Sequence, residues 1–154
     1  MVDVPLAATR AQRRYRVLMV DDEPLLRSLL SRALARADFD VVEAASGRAA
    51  LQLLCAERFD LVISDVQMPL MTGIELLRRL RHHQPELPVV LISGVFELAP
   101  DQSPADIGAF AVLSKPFPFE ELHEVALRAL GLDALRAQGT AAQGTGVAAA
   151  LAQG

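Results

Sequence analysis

Four short runs are apolar at every position instead of at alternate ones: Val17-Leu18-Met19-Val20, Leu61-Val62-Ile63, Val89-Val90-Leu91-Ile92 and Phe110-Ala111-Val112-Leu113. A strand with one wet face alternates apolar and polar residues. Uninterrupted apolar runs must be covered on both faces, as parallel strands between helices are. Asp40-Val41-Val42-Glu43 is a fifth, weaker candidate. Between the runs, helical spacing takes over. Leu26, Leu29, Leu30, Ala33 and Leu34 follow Glu23-Pro24, where proline suits a first turn. Ser46 is placed to cap a second helix that turns Ala50, Leu51, Leu54 and Cys55 inward. A third helix is predicted from about Gly73 to His83, burying Ile74, Leu77 and Leu80 and stopped by Pro85 and Pro88. The last runs from about Pro118 to Leu130 with Phe119, Leu122, Val125 and Ala126 on one face. Strand and helix in strict alternation predict a doubly wound α/β domain with helices on both faces of a five-stranded parallel sheet.

One interval breaks the rhythm. Between residues 97 and 108, Pro100 and Pro104 stand where a helix is due, and each costs about 3 kcal/mol in a helix interior. A short, frayed or displaced helix is expected there.

Length and composition frame the rest. A chain of 154 residues accommodates one domain with tails. We divide it into an N-terminal leader (1–14), one domain (15–131) and a flexible Ala/Gly/Gln-rich tail (132–154). Only 5% of residues are aromatic and none is Trp, so the core is expected to be Leu, Val and Ala packing. No apolar stretch reaches the ~18 residues of a membrane span, and the start lacks the layout of a secretory signal. Cys55 is the sole cysteine, which excludes an intrachain disulfide. A cytoplasmic location without membrane contact follows as an expectation. Net charge is −4, which gives no electrostatic case for nucleic acid as a partner. The cluster Arg10, Arg13, Arg14 and Arg16 reads as a solvated leader.

A parallel sheet gathers the carboxyl ends of its strands along one rim, where open α/β proteins bind ligands. Asp21-Asp22 close the first run, Asp65 closes the second, and Ser93 and Lys115 follow the third and fourth. Three acids, a hydroxyl and a lysine meeting there can hold a divalent metal and accept a phosphoryl group. Two carboxylates ~4 Å apart repel by roughly 1 kcal/mol in water and ~4 kcal/mol at an effective dielectric of 20. One lysine relieves only part of this, so a divalent cation is the natural complement. Blander roles exist for each piece taken alone. Asp21-Asp22 suit a helix N-terminus, and Ser93-Gly94 suits a turn. Met68-Pro69 and Thr72-Gly73 shape the loop after Asp65. His82 and His83 are adjacent and cannot face one metal, His123 has no evident ligand partner, and Cys55 reads as a small buried apolar residue.

Taken together, Leu18-Met19-Val20-Asp21-Asp22-Glu23-Pro24, Leu61-Val62-Ile63-Ser64-Asp65-Val66-Gln67-Met68-Pro69 with Thr72-Gly73, Ser93-Gly94 and Lys115-Pro116-Phe117 resemble a response-regulator receiver domain over about residues 15 to 131. The resemblance implies a flavodoxin-like strand order 2-1-3-4-5 and a phosphoacceptor role in two-component signalling. By the same resemblance, Asp65 is the nucleophile and a ligand of Mg²⁺. Asp22 binds the metal directly, Asp21 through water, and Gln67 through its backbone carbonyl. Lys115 pairs with Asp65 at rest and with a phosphoryl oxygen later, through a cis Lys115-Pro116 peptide, and Ser93 donates its hydroxyl to the phosphoryl group. The implied partners are a sensor histidine kinase or histidine phosphotransfer protein as donor, and a downstream protein as output. No DNA-binding, methylesterase or cyclase segment follows residue 131, so output through a partner is expected, from a stand-alone regulator or a piece of a longer protein.

Two departures, the proline-broken 97–108 interval being one, and two rivals remain. Three residues before the lysine the family commonly has Tyr or Phe; here the position is Val112, so an unusual readout is expected. A haloacid-dehalogenase-like phosphohydrolase also uses aspartyl phosphate, but it needs a second aspartate where Gln67 stands, and a self-phosphorylating switch is not a turnover enzyme. A degenerate receiver acting only as a protein-binding module would not need all five active-site residues.

Overall fold

The computed structural model describes residues 14–95 and 98–132. Five strands form one parallel sheet: β1 (Arg16–Val20), β2 (Asp40–Ala44), β3 (Leu61–Asp65), β4 (Val89–Ser93) and β5 (Ala111–Ser114). Their order is β2-β1-β3-β4-β5, as expected. Three helices connect the first four strands, α1 (Pro24–Arg36), α2 (Gly47–Ala56) and α3 (Gly73–His83), and α4 (Phe119–Ala129) follows β5. Apart from Arg14 and Leu132, the leader and tail lie outside the described residues.

The sheet has a core on each face because its central strands are apolar throughout. Along β1, Val17 and Met19 join Leu30 and Leu34 of α1 and Leu122, Val125 and Ala126 of α4. Leu18 and Val20 point the other way, to Ala50 and Leu54 of α2 and Leu76, Leu77 and Leu80 of α3. The same division separates Leu61 and Ile63 from Val62, and Val90 and Ile92 from Val89 and Leu91. Each such Leu, Ile or Val contributes about 1.5–3 kcal/mol by leaving water.

Local chemistry sets the helix starts. Pro24 opens α1 after Glu23, and Ser46 Oγ accepts the Ala49 N–H at 3.0 Å at the start of α2. Thr72 and Glu75 form a reciprocal capping box that begins α3. His82 and His83 are exposed in the last turn of α3, as expected of solvated residues.

Several expectations need correction. Leu29 is exposed (65%), not inward. In α1 the sheet contacts fall to Leu30 and Leu34, four residues apart, and Leu29 with Leu25 forms the next row round the helix. Cys55 is likewise exposed, because the buried row of α2 is Gly47, Ala50 and Leu54. Ile74 is only half-buried while Leu76 is fully buried. Phe110 precedes β5 and is 42% exposed, although its N–H donates to Val89 O at 2.8 Å.

The proline-broken interval holds a single turn of 3-10 helix, Pro104–Ile107, and residues 96 and 97 fall outside the described set. Ser103 caps it, with its N–H donating to Asp106 Oδ2 at 2.7 Å. Gly108 ends it at φ 85°, a left-handed conformation that a Cβ would strain. Little room remains there, since a Cβ on Gly108 would lie 3.0 Å from Arg81 Cγ.

Candidate functional site

Asp21 follows the last residue of β1, and three contacts fix its position. Its N–H donates to Ala44 O at 3.1 Å, and its Oδ1 accepts the Glu23 N–H at 2.9 Å. Its carbonyl accepts Arg27 Nη1 at 2.7 Å. Asp22 comes next and is exposed, whereas Asp21 is buried. Asp65 ends β3, is buried, and is in register with Ile92 of β4. The carboxylates of Asp21, Asp22 and Asp65 offer oxygens that all lie within 4.8 Å of one another. At that spacing and an effective dielectric of 20, each ionised pair repels by roughly 3 kcal/mol.

Burial raises the Asp21 pKa above the usual carboxylate range, and the charges of Asp65 and Asp22 push it the same way. The Glu23 N–H and the Lys115 ammonium oppose that rise. Lys115 is the cationic partner within the site: its Nζ donates to Asp65 Oδ2 at 3.3 Å. The Lys115–Pro116 peptide is cis. Asp65 Oδ1 accepts the N–H of Gln67 in a long contact of 3.4 Å. Ser93, fully buried at the end of β4, accepts the Val95 N–H on its Oγ at 3.1 Å. The Lys115 N–H donates to Ser93 O at 2.8 Å, which ties the ends of β4 and β5 together.

The structure therefore brings Asp21, Asp22, Asp65 and Lys115 into one cluster. It sets Ser93 at the carboxyl end of the strand beside Asp65, and Gln67 two residues past it. The donor set is all oxygen, with no thiolate or imidazole, which suits a small hard cation such as Mg²⁺ and not a soft metal. The exposed Asp22 leaves that cluster a side open to solvent.

The loop after Asp65 is held by groups the sequence singled out only as loop-shaping. The Gly73 N–H donates to Val66 O at 3.0 Å, and a Cβ on Gly73 would lie 2.3 Å from Asp65 O. No other side chain fits that approach. Leu70 in the same loop adopts φ 69° and is fully exposed. Sequence reasoning missed Arg27 and Glu43, which pair at 2.8 Å behind the acidic pair. One signal was available: a basic residue in the first turn of a helix opposes the helix dipole and needs an acidic or carbonyl partner.

Comparison with known proteins agrees with the fold. The family model of the response regulator receiver domain matches residues 17–127. The regulatory protein AtoC of Escherichia coli is 37% identical over 121 residues, 79% of this chain but 26% of that protein. Response regulator MprA of Mycolicibacterium vanbaalenii is 37% identical over 70% of this chain and 46% of its own length. The chain thus spans from about a quarter to half of these two relatives. Sporulation initiation phosphotransferase F of Bacillus subtilis is 32% identical over 76% of this chain and 94% of its own length. Among solved structures, the chemotaxis protein CheY4 of Vibrio cholerae superposes with a TM-score of 0.69 at 36% identity, covering 77% of this chain and all of that one. TrrA of Thermotoga maritima, solved in complex with Mg²⁺ and BeF, gives 0.68 at 31% identity over 75% of this chain and 99% of that one. The chain belongs to the response regulator receiver domain family.

Proposed function

We propose that Asp65 accepts a phosphoryl group from a phosphohistidine donor in a Mg²⁺-dependent reaction, and that the acyl phosphate changes which partner the domain binds. The observation that carries this reading is the contact of Lys115 Nζ with Asp65 Oδ2 beside two further carboxylates. A lysine that neutralises one oxygen of a buried aspartate leaves its partner oxygen as the nucleophile. Asp65 Oδ1 attacks phosphorus, the bond from phosphorus to the imidazole nitrogen breaks, and the leaving imidazole takes up a proton. The attack uses the carboxylate form of Asp65, so no proton leaves that residue.

Asp22, Asp21, Asp65 and the Gln67 carbonyl would hold Mg²⁺, with Asp21 reaching it through water. When bound, the metal neutralises the charge that develops on the transferred phosphoryl oxygens. Lys115 swings from the aspartate to one of those oxygens. Ser93, whose Oγ already holds the Val95 N–H, donates its hydroxyl to another and draws its loop with it. The phosphate adds ~−1.5 to −2 charges at this rim, and that change is the switch.

The donor is a sensor histidine kinase or a histidine phosphotransfer protein. An apolar groove of about 450 Å³ runs beside Lys115, lined by Leu26, Leu29, Leu30, Pro116, Phe117 and Phe119. Such a groove fits the apolar face of a helix that presents a phosphohistidine. The output partner is a protein, reached through a face where Val112 replaces an aromatic and a 3-10 turn replaces a helix. The net charge of −4 disfavours nucleic acid as a direct partner of this domain. Among the described residues no helix is long and apolar enough to cross a membrane. Gln67 cannot serve as a general acid, so the domain acts as a switch and not as a turnover phosphohydrolase.

Incubation with Mg²⁺ and acetyl phosphate tests the reading. Intact mass should rise by one phosphoryl group, located to Asp65 and absent from Asp65→Asn. No mass gain would make the domain a binding module, and sustained hydrolysis of a generic phosphate ester would make it a phosphohydrolase.

A further inference from the structure

We propose that Arg27 is a positioning residue for the acidic pair: its guanidinium clamps the peptide between Asp21 and Asp22 and so sets the affinity for the divalent cation. This rests on the Mg²⁺ reading given above.

Arg27 lies in the first turn of α1 and reaches back over the β1–α1 connection. Two of its nitrogens are used. Nη1 donates to the Asp21 carbonyl at 2.7 Å, and Nε donates to the carboxylate of Glu43 on β2 at 2.8 Å. The side chain is 18% exposed, and its contact with the Asp21 carbonyl is partly buried. On the other side of Asp21, the N–H is held by Ala44 O. Both peptide units flanking Asp21 are therefore anchored to β2, one directly and one through Arg27 and Glu43.

The consequence falls on Asp22. The Asp21 carbonyl and the Asp22 nitrogen share one peptide plane, and that plane fixes the N–Cα bond from which Asp22 projects. Among the described residues none donates a hydrogen bond to the Asp22 carboxylate, so the anchored peptide is what places Asp22. Holding the plane holds the base of the ligand.

Glu43 decides which of two roles the guanidinium plays. Paired with Glu43, Arg27 brings little net charge to the acids, which keep their negative field for the metal. A clamp and a counter-charge predict opposite signs. If Arg27 served as a counter-charge, removing it would strengthen Mg²⁺ binding by deepening the negative potential. If it is a clamp, removing it weakens binding. Lysine separates the two further, because it keeps the charge and loses the planar fork.

The test is a Mg²⁺ titration of the full chain by backbone amide NMR at constant ionic strength, for the parent, Arg27→Met, Arg27→Lys and Asp22→Asn. Both Arg27 variants should bind Mg²⁺ about tenfold more weakly. The amides of Asp22 and Glu23 should shift before any metal is added. Phosphorylation by acetyl phosphate should show a raised Mg²⁺ requirement but the parental rate at saturation. Should Arg27→Met melt below the assay temperature, Arg27→Lys alone decides. Unchanged or tighter Mg²⁺ binding by a folded Arg27 variant, with Asp22→Asn impaired, overturns the clamp and leaves the metal reading standing. Parental Mg²⁺ binding by Asp22→Asn overturns the metal reading and the clamp with it.

Discussion

Lys115 and Asp65 are 50 residues apart in the chain, yet the lysine Nζ stands 3.3 Å from the aspartate Oδ2. The two strands that deliver them are not neighbours, for β4 lies between β3 and β5. The lysine spans that gap from the loop after β5, so the contact exists only once β4 has paired on both sides.

Lys115→Met should therefore separate chemistry from metal binding. Phosphorylation by acetyl phosphate at saturating Mg²⁺ should slow by about 10²-fold, the usual cost of losing one donor that stabilises developing charge. Mg²⁺ affinity should rise slightly, because a competing cation has gone. Mass spectrometry against time, with a parallel metal titration, checks both. An unchanged rate would remove Lys115 from the reaction.

A metal that binds only the folded chain stabilises it by mass action, by about 2.7 kcal/mol at a hundredfold excess over Kd. Mg²⁺ should accordingly raise the melting temperature of the parent, and Asp22→Asn should lose most of that increment. Calorimetry with and without Mg²⁺ measures it. An Asp22→Asn protein that responds like the parent would move the metal elsewhere.

Asp21 supplies a pH dependence. Burial, then the neighbouring acids, raises its pKa in the folded state. The folded chain therefore holds this proton more tightly than the unfolded chain does. Stability from the group is fully present below the ordinary aspartate range and is lost as pH rises through the raised value. Without metal at pH 7, Asp21→Asn should be the more stable protein, and its advantage should shrink on acidification through that window. Urea denaturation at a series of pH values follows the gap. A gap that widens toward acid would contradict the raised pKa.

Gly73→Ala probes the close approach of α3 to Asp65. Its Cβ would lie 2.3 Å from Asp65 O, so the strand end or the helix start has to move. Overpacking of this kind costs typically 1–3 kcal/mol. The melting temperature should fall, and the phosphorylation rate should fall with it because Asp65 is displaced. A rate and a melting temperature like the parent's would show that the loop yields freely.

Most of the fold was legible because both-face apolar runs, capping residues and prolines act locally. Ser46, Thr72 and Pro24 mark helix starts by chemistry complete within four residues. The 97–108 interval was legible as a disturbance but not as a shape. Two prolines disfavour a regular helix, while the single 3-10 turn and its end at Gly108 beside Arg81 are seen only in the fold. Leu29 and Cys55 were misplaced because a helical stripe is wider than the row that touches the sheet, and only the docking angle picks the row.

The sequence by itself determined the order of strands and helices, the caps, and the identity of the three acids, the serine and the lysine, since each depends on residue type and near neighbours. The tertiary structure alone decided that three carboxylates share a space of 4.8 Å, that Gly73 presses on Asp65, and that Arg27 reaches across to Glu43 and the Asp21 carbonyl. Those are distances between segments far apart in the chain. They follow from sheet register and helix docking, which no local pattern of residues encodes.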